Sequence, residues 1–425
     1  MSVRKRQWTT AAGQVRESWV VDYTDSHGKR RLKTWARKKE ADAFAATARV
    51  QISEGTHVAD SASATVREAG ALWLAKSDAA GLERATVESY RQQLAYHIIP
   101  FIGSKRLSQL NGPSVRAFED QLRDEGRSPS MSRRVMQTLG SILADAQERG
   151  LVARNSVREL RGKRRSGRSG DRRQKRKLKV GVDIPMPEEI RAILEHAKSR
   201  WRPLLMTAAL TGLRASELRG LSWKDVELEN RKIHVRQRAD RYNKIGPPKS
   251  AAGERMIPLA ATVVAELVAW RKICPPGALG LVFPSGAGNV ETLSNITRRG
   301  FLPSQLAAGV TRPVLNKKGV VILDATGMPK VLPKYTGLHA LRHFFASWCI
   351  NSRDDNGLGL PPKVAQERLG HASIAMTLDV YGHLFPRGDD LAELDAAERL
   401  LLGGTVVQAT QARHGAKKRS KNKEI

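Results

Sequence analysis

Residues 369–385 read LGHASIAMTLDVYGHLF, a stretch in which Tyr381 follows His371 by ten residues. Three polar clusters lie upstream of this tyrosine, and each contains basic side chains. Together these groups supply a nucleophile, cations that can hold an anionic group, and side chains that can move protons. The clusters are TGLRASELRGLSW from residue 211 with Arg214, PPKSAAGERMIPL from residue 247 with Lys249, and LHALRHFFAS from residue 338 with His339 and Arg342.

The composition indicates a polyanionic partner. The chain has 425 residues, enough for several domains, and 73 Lys and Arg against 42 Asp and Glu give a net charge of +31. Such an excess is typical of proteins that bind DNA or RNA. No run of eighteen apolar residues and no secretory signal is present, so we expect a soluble, cytoplasmic protein without a membrane partner. Cys274 and Cys349 lack metal-ligand spacing, which predicts no structural zinc and a reducing compartment.

Residues 1–57 are predicted to form a small β-rich module. An apolar strand over Trp19 to Tyr23 and an extended run over Lys29 to Trp35 flank a turn, and a helix fits Lys39 to Glu54. The module is either a solubilising hairpin with a helix or a DNA reader that lays its strands in a groove, and its cations favour the second interpretation. The candidate DNA-binding residues of the module are Lys29, Arg30, Arg31 and Lys33.

Two segments of different character follow. Residues 62–160 show helical periodicity throughout, with Gly and Pro signals between four predicted helices, and favour an all-α domain. Residues 161–184 are predicted to be a linker, because residues 161–179 contain eleven cations and one acid, a net charge of +10. This run cannot bury enough apolar area to fold alone, although it can follow a phosphate backbone. Candidate DNA contacts in it are Arg164, Arg165, Arg172 and Arg173.

Residues 185–402 are predicted to form a mixed α+β domain that is mainly helical and contains a small antiparallel sheet. A strand over Lys232 to Arg238 pairs with one over Glu254 to Leu259, with Lys249 in the turn between them. Residues 285–334 lack a clear period and receive no assignment. Leucines after residue 386 have a roughly helical spacing that suits docking on their own domain or on a neighbouring copy, and residues 403–425 are predicted to be a basic, disordered tail. The predicted helices of this domain that carry the polar clusters are His339 to Ile350, Pro362 to Leu369 and Ile374 to Tyr381.

Taken singly, each polar residue could have an ordinary structural role, as a surface cation, a helix-capping histidine or a core aromatic. Their order along the chain is more specific, because it resembles the catalytic domain of the tyrosine recombinase (phage integrase) family over roughly Pro185 to Leu402. The helical region at 62–160 resembles the core-binding domain of that family, and residues 1–57 resemble its arm-type DNA-binding domain.

The resemblance implies a reaction in which a tyrosine attacks a DNA phosphate, leaving a 3′-phosphotyrosyl enzyme and a free 5′ hydroxyl without a metal or cofactor. It implies six catalytic side chains and one supporting acid. These are Arg214 and Arg342 as phosphate clamps, Glu217 as the supporting acid, Lys249 as general acid, His339 as proton acceptor, His371 as phosphate hydrogen-bond donor and Tyr381 as nucleophile.

The same resemblance implies a bacterial protein that integrates or excises a mobile element. Its partners would be two recombination sites in double-stranded DNA, further copies of itself in a tetramer, a host DNA-bending protein and an excisionase. Two stretches are longer than in the family pattern, one between Phe283 and His339 and one at residues 352–361. Both are predicted to be loop insertions. A type IB topoisomerase-like enzyme that relaxes DNA and a non-catalytic DNA-binding regulator are the alternatives.

Overall fold

The computed structural model describes residues 1–11, 13–25, 28–54, 57–59, 63–160, 177–316, 318–385, 394, 398, 399 and 401. These residues belong to two units, Met1–Arg173 and Gln174–Ile425. The predicted tail at 403–425 and four candidate DNA contacts lie outside the described residues, namely Arg164, Arg165, Arg172 and Arg173. No helix in the described ranges is both long and apolar enough to span a membrane.

The first unit begins with a three-stranded antiparallel sheet in the order β1-β2-β3, covered by helix α1. The predicted pair of strands and the helix are confirmed. Strand β1 is an addition that the sequence did not indicate, because its residues SVRKRQWT lie mostly exposed and lack an apolar alternation. The elements are β1 (Ser2–Thr9), β2 (Val15–Thr24), β3 (Arg30–Trp35) and α1 (Lys38–Ser53).

The described residues from 63 to 160 are mainly helical, as predicted for residues 62–160. Side-chain caps begin several of these helices, since Thr65 forms a capping box with Glu68 and Ser128 accepts a hydrogen bond from the amide of Met131. A π-helical turn at Leu94–Ile98 joins the third helix to the fourth. The helices are α2 (Val66–Ala79), α3 (Arg84–Gln93), α4 (Ile99–Ile102), α5 (Gly112–Asp124) and α6 (Pro129–Glu148).

The second unit is built around a buried helix, His339–Ile350, whose side chains are buried at nine of twelve positions. The predicted bounds of this helix and of the two that follow it are confirmed. The helices of the unit are α7 (Pro187–His196), α8 (Trp201–Thr211), α9 (Ala215–Gly220), α10 (Ala261–Arg271), α11 (Leu293–Asn295), α12 (Leu302–Ala307), α13 (His339–Ile350), α14 (Pro362–Leu369) and α15 (Ile374–Tyr381).

The small antiparallel sheet of the second unit is confirmed, with order β4-β5-β8, and Ile233 lies opposite Ile257 in the core. The strand predicted over Lys232 to Arg238 is wrong in one respect, because it divides into two strands that belong to different sheets. The strands are β4 (Val226–Glu227), β5 (Lys232–Val235), β6 (Arg238–Ala239), β7 (Ile245–Gly246) and β8 (Arg255–Pro258).

The stretch between Phe283 and His339 is not a simple loop insertion. Helices α11 and α12 are joined by a π-helical segment, Ile296–Phe301, and both ends of that segment are buried. Because a π-helix has a longer repeat than an α-helix, the buried residues do not follow a 3.6-residue period, which explains the missing sequence signal. A β ladder with exposed apolar side chains follows, in which β9 (Thr311–Pro313) pairs with β10 (Val331–Pro333).

Two shorter segments complete the second unit. Residues 352–361 form a loop, as predicted, and fold back on α13 through a hydrogen bond from the amide of Leu358 to the carbonyl of Trp348 at 2.8 Å. Residues 177–184, the end of the predicted linker, pack on this unit. Ile184 is buried there, and Nε2 of His383 lies 2.7 Å from the carbonyl oxygen of Leu178.

Candidate active site

The polar centre of the second unit is the carboxylate of Glu217 on α9, which is 3% exposed. It accepts a hydrogen bond from Nη1 of Arg214 at 2.7 Å and one from Nη2 of Arg255 at 2.9 Å. Burial alone raises the pKa of Glu217, but Arg255 and then Arg214 outweigh that effect and hold the pKa below its ordinary value. The carboxylate is therefore charged and fixes two guanidinium groups.

The ends of two helices fix the arginines further. Arg342 on α13 donates to the carbonyl of Gly212 at 2.6 Å and to that of Leu369 at 2.5 Å, and Arg214 donates to the carbonyl of Gly370 at 2.8 Å. Because α8 and α14 end at these glycines, the arginines meet carbonyl groups that carry partial negative charge. Arg214 and Arg342 therefore lie side by side, attached to consecutive carbonyls.

Gly212 is required both for its backbone and for its lack of a side chain. Its φ is +61°, and a Cβ atom there would overlap the ring of Phe345 on α13. The left-handed conformation alone costs an ordinary residue about 1–2 kcal/mol. The turn that precedes Arg214 therefore depends on glycine for its close packing against α13.

We expect Gly212→Ala to lower the free energy of unfolding by about 1–3 kcal/mol more than left-handed strain alone, because overpacking adds a cost of that size. The matched control is Gly309→Ala in the same unit, where φ is +68° and a Cβ atom meets nothing within 4 Å. Thermal and urea unfolding of both variants measures the difference. Equal losses for the two variants would contradict the close contact with Phe345.

The nucleophile candidate Tyr381 ends α15 and is 2% exposed. Its ring stacks on that of His371 with an interplanar angle of 5° and a centroid distance of 6.4 Å. Burial raises the pKa of Tyr381 to about 12, with Arg342 acting in the opposite direction. The phenol is therefore protonated at neutral pH and requires a proton acceptor before it can attack.

Two neighbouring histidines are neutral at pH 7. Burial, followed by Arg342, Arg214 and Arg255, lowers the pKa of His371 to about 4, and its Nδ1 lies 2.9 Å from the hydroxyl of Thr377. Burial also lowers the pKa of His343 to about 4, and its Nδ1 lies 2.7 Å from the hydroxyl of Tyr381.

His339 begins α13 with an exposed side chain, and its ring contacts that of His343 with centroids 4.5 Å apart. Desolvation among its neighbours, then Arg342 and Arg214, lowers the pKa of His339. The predicted His339 and Arg342 thus lie on one helix, three residues apart.

The four charged side chains at the centre carry a surplus of positive charge. Glu217 contributes −1, while Arg214, Arg255 and Arg342 contribute +3, for a sum of +2. Burial, and next the proximity of Arg214, lowers the pKa of Arg342 to about 10. Such preorganised cations are suited to bind a phosphate group and to stabilise the charge that develops on it during a reaction.

Lys249 lies in the loop before β8 with an exposed side chain, as its predicted position between two strands requires. The same loop packs closely on Gly370, which belongs to the cluster. A Cβ atom at Gly370 would lie only 2.9 Å from the carbonyl oxygen of Ala252. The turn between β6 and β7 is held by Arg219, whose Nη1 donates to the carbonyl of Asp240 at 3.1 Å. The structure thus places the loop of Lys249 beside the cluster.

The candidate DNA-binding cations of β3 interact largely within their own module. Arg30 forms two hydrogen bonds with Asp22, and Nε of Arg31 lies 2.8 Å from Oδ2 of Asp25. The ammonium of Lys33 lies over the rings of Trp35 and Phe44, while Lys29 is exposed. Their role in binding DNA stays a prediction.

Sequence reasoning missed two members of the cluster, Arg255 and His343. Both lie inside the quoted motifs, at GERMIPL and LRHFFAS, yet each occurs among many basic residues. A sequence signal was available for His343, because a residue four positions after His339 faces the same side of a helix. Arg255 lies on the same face of β8 as the buried Ile257, two residues further along the strand.

We expect stability to fall as pH is lowered from about 6.5 toward 4, because the ordinary histidine pKa is 6.5 and the folded-state pKa of His343 and of His371 is about 4. Between these pH values the two histidines bind protons in the unfolded chain but not in the folded chain, so protonation favours unfolding. Denaturant unfolding at several pH values should show this slope, and His371→Asn should reduce it. An unchanged slope in the variant would mean that His371 titrates normally.

Comparison with known proteins identifies related sequences and related folds. Residues 186–387 match the phage integrase family. Tyrosine recombinase XerC of Xanthomonas campestris is 27% identical over 306 residues, which are 70% of this chain and 78% of the relative. A tyrosine recombinase XerC-like protein of Caldanaerobacter subterraneus is 24% identical over 300 residues, 66% of this chain and 69% of the relative.

Solved structures show the same fold. The Tn1549 transposon integrase in complex with a circular intermediate DNA has a TM-score of 0.58 at 20% identity, covering 80% of this chain and 100% of its own. A lambda integrase dimer bound to a COC′ core site has a TM-score of 0.52 at 17% identity, covering 90% and 97%. The fold and the sequence matches agree on the tyrosine recombinase class. The domain over residues 186–387 belongs to the phage integrase family.

Proposed function

We propose that this protein is a site-specific DNA recombinase that cuts and rejoins DNA through a 3′-phosphotyrosyl intermediate. The observation that carries this proposal is the cluster in which the hydroxyl-bearing ring of Tyr381 stacks on His371 beside Arg342. A nucleophile, two phosphate-binding arginines and a neutral imidazole then lie at one place. This set meets the needs of a direct attack on a phosphodiester.

The proposed roles follow from the positions of the groups. Arg214 and Arg342 bind the non-bridging oxygens of the scissile phosphate, and Glu217 holds Arg214 in place. A neutral His371 that accepts a hydrogen bond from Thr377 at Nδ1 carries its proton on Nε2, where it can donate to the phosphate.

Lys249, on its exposed loop, is proposed to give a proton to the leaving 5′ oxygen. Because the phosphotyrosyl bond retains the energy of the broken linkage, rejoining needs no ATP.

The described conformation keeps the nucleophile out of solvent. Tyr381 is 2% exposed and its hydroxyl is hydrogen-bonded to His343, so the site must open before a DNA phosphate reaches it. We propose that DNA binding and neighbouring copies control this opening, which makes Tyr381 a regulated nucleophile.

The proposed partners are two sites in double-stranded DNA, which copies of the chain bring together in a tetramer. A host DNA-bending protein and an excisionase would set the direction of recombination. The net charge of +31 predicts affinity that falls steeply with salt, because each bound phosphate releases counterions. A soluble protein of the bacterial cytoplasm associated with DNA fits these partners, and the cations at 161–176 are proposed to contact the backbone.

The test begins with sheared genomic DNA of the bacterium of origin, incubated with the full chain and denatured to trap covalent adducts. Sequencing the trapped fragments identifies the sites, and two copies of a site on a supercoiled plasmid then reveal the product. Recombinant junctions are expected. Relaxed plasmid without junctions would favour a topoisomerase-like enzyme, and binding without any adduct would favour a regulator.

A further inference from the structure

The side chain in contact with the hydroxyl of Tyr381 is His343, the residue directly after Arg342. Its Nδ1 lies 2.7 Å from the tyrosine oxygen, and the two rings meet at 61° with centroids 5.8 Å apart. His339 lies one turn earlier on α13, and its ring contacts His343. The histidines therefore form a row along α13, with His343 at the tyrosine.

We propose that His343 is the catalytic residue that takes the proton of Tyr381 when the tyrosine attacks the phosphate. This inference rests on the proposed function and differs from the role that family resemblance gives to His339. His339 has an exposed side chain at the first position of α13 and contacts the ring of His343, whereas His343 meets the hydroxyl of Tyr381 directly.

The electrostatic surroundings keep His343 neutral before DNA binds, as a proton acceptor must be. Desolvation, and then His339 and Arg342, lowers the pKa of His343 to about 4, while Asp183 acts in the opposite direction. A neutral imidazole with its proton on Nε2 presents a lone pair on Nδ1 to the phenol. The anionic phosphate, once bound by the arginines, favours the imidazolium form and raises the basicity of His343 as the reaction requires.

The chemical step balances without another reactant. The oxygen of Tyr381 forms a bond to phosphorus while the bond from phosphorus to the 5′ oxygen breaks. The phenol proton moves to Nδ1 of His343, and Lys249 protonates the departing 5′ oxygen. In rejoining, a 5′ hydroxyl attacks phosphorus and gives its proton to the neutral Lys249, the bond from phosphorus to the tyrosine oxygen breaks, and His343 returns the proton to that oxygen.

The experiment compares His343→Asn with His339→Asn in the full chain. Asparagine keeps a polar acceptor at each position but cannot take up a proton. The probe is a nicked duplex with the site recovered from trapped adducts, which holds the reaction at the covalent stage. We expect His343→Asn to slow adduct formation by about 10²–10⁴-fold, the usual contribution of a general base.

A fluorinated tyrosine at position 381 shows whether His343 acts as a base or only supports the structure. Its phenol is more acidic, so it loses its proton more easily without a base. It should restore much of the rate to His343→Asn and little to His339→Asn. The reverse pattern would assign the proton to His339 and overturn the inference, as would failure to restore either variant. If the wild-type chain forms no adduct, the proposed function fails before this comparison.

Discussion

Tyr381→Phe is expected to abolish covalent protein–DNA adducts while leaving DNA binding nearly intact. Phenylalanine retains the ring that stacks on His371 and loses only the hydroxyl that would form the bond to phosphorus. The lost hydrogen bond to His343 costs about 1 kcal/mol, too little to unfold the unit. A denaturing gel of protein incubated with radiolabelled site DNA measures adducts, and a mobility-shift assay at fixed salt measures binding.

The matched control is Tyr335→Phe. Tyr335 is also a buried tyrosine of the second unit, and its hydroxyl donates to Glu189 at 2.6 Å. Glu189 keeps Lys334 as a partner, so this variant should fold and form adducts at a normal rate. Adducts that persist in Tyr381→Phe would assign the nucleophile to another residue. Loss of adducts in both variants would point to a general effect of removing buried hydroxyls.

Local sequence signals predicted the helices around the site well. Pro361 and Pro362 begin α14 and Gly370 ends it, while Ser373 caps α15, so the bounds of both helices follow from the sequence. The order of the polar motifs also predicted residues that the structure brings together, since Arg214, Arg342, His371 and Tyr381 lie around one cluster. These predictions succeeded because capping, periodicity and motif order are all properties of nearby residues.

The parts that the sequence did not reveal depend on tertiary contacts. Arg255 is one cation among many until the fold sets its guanidinium against Glu217, 38 positions away. The bond between His343 and Tyr381 likewise joins residues that are 38 positions apart. The π-helical segment at Ile296–Phe301 hides the helical period of its region, and β1 is held by backbone pairing with β2 rather than by an apolar pattern. Contacts between residues far apart in the sequence cannot be predicted from the composition of a short segment.

Glu217→Ala is expected to lower the free energy of unfolding by about 3–5 kcal/mol, the usual cost of removing one partner from a buried ion pair. The variant leaves Arg214, Arg255 and Arg342 crowded without a counter-charge, and the side chain of Arg255 is 7% exposed. Urea unfolding of the full chain measures the loss. Glu227→Ala is the matched control, because its carboxylate is 41% exposed beside His234, where water screens the interaction, and its loss should have a much smaller effect.

The double variant Glu217→Ala/Arg255→Ala tests the cause of that loss. If uncompensated positive charge is responsible, removing Arg255 as well should recover part of the stability, so the two losses will not add. The depressed pKa of Glu217 gives a second check. Its contribution is present above the ordinary carboxyl pKa of about 4.3 and is lost as pH falls through the lower folded value, so wild type and Glu217→Ala should converge in acid. Additive losses, or a difference that persists in acid, would show that Glu217 acts through packing rather than through charge.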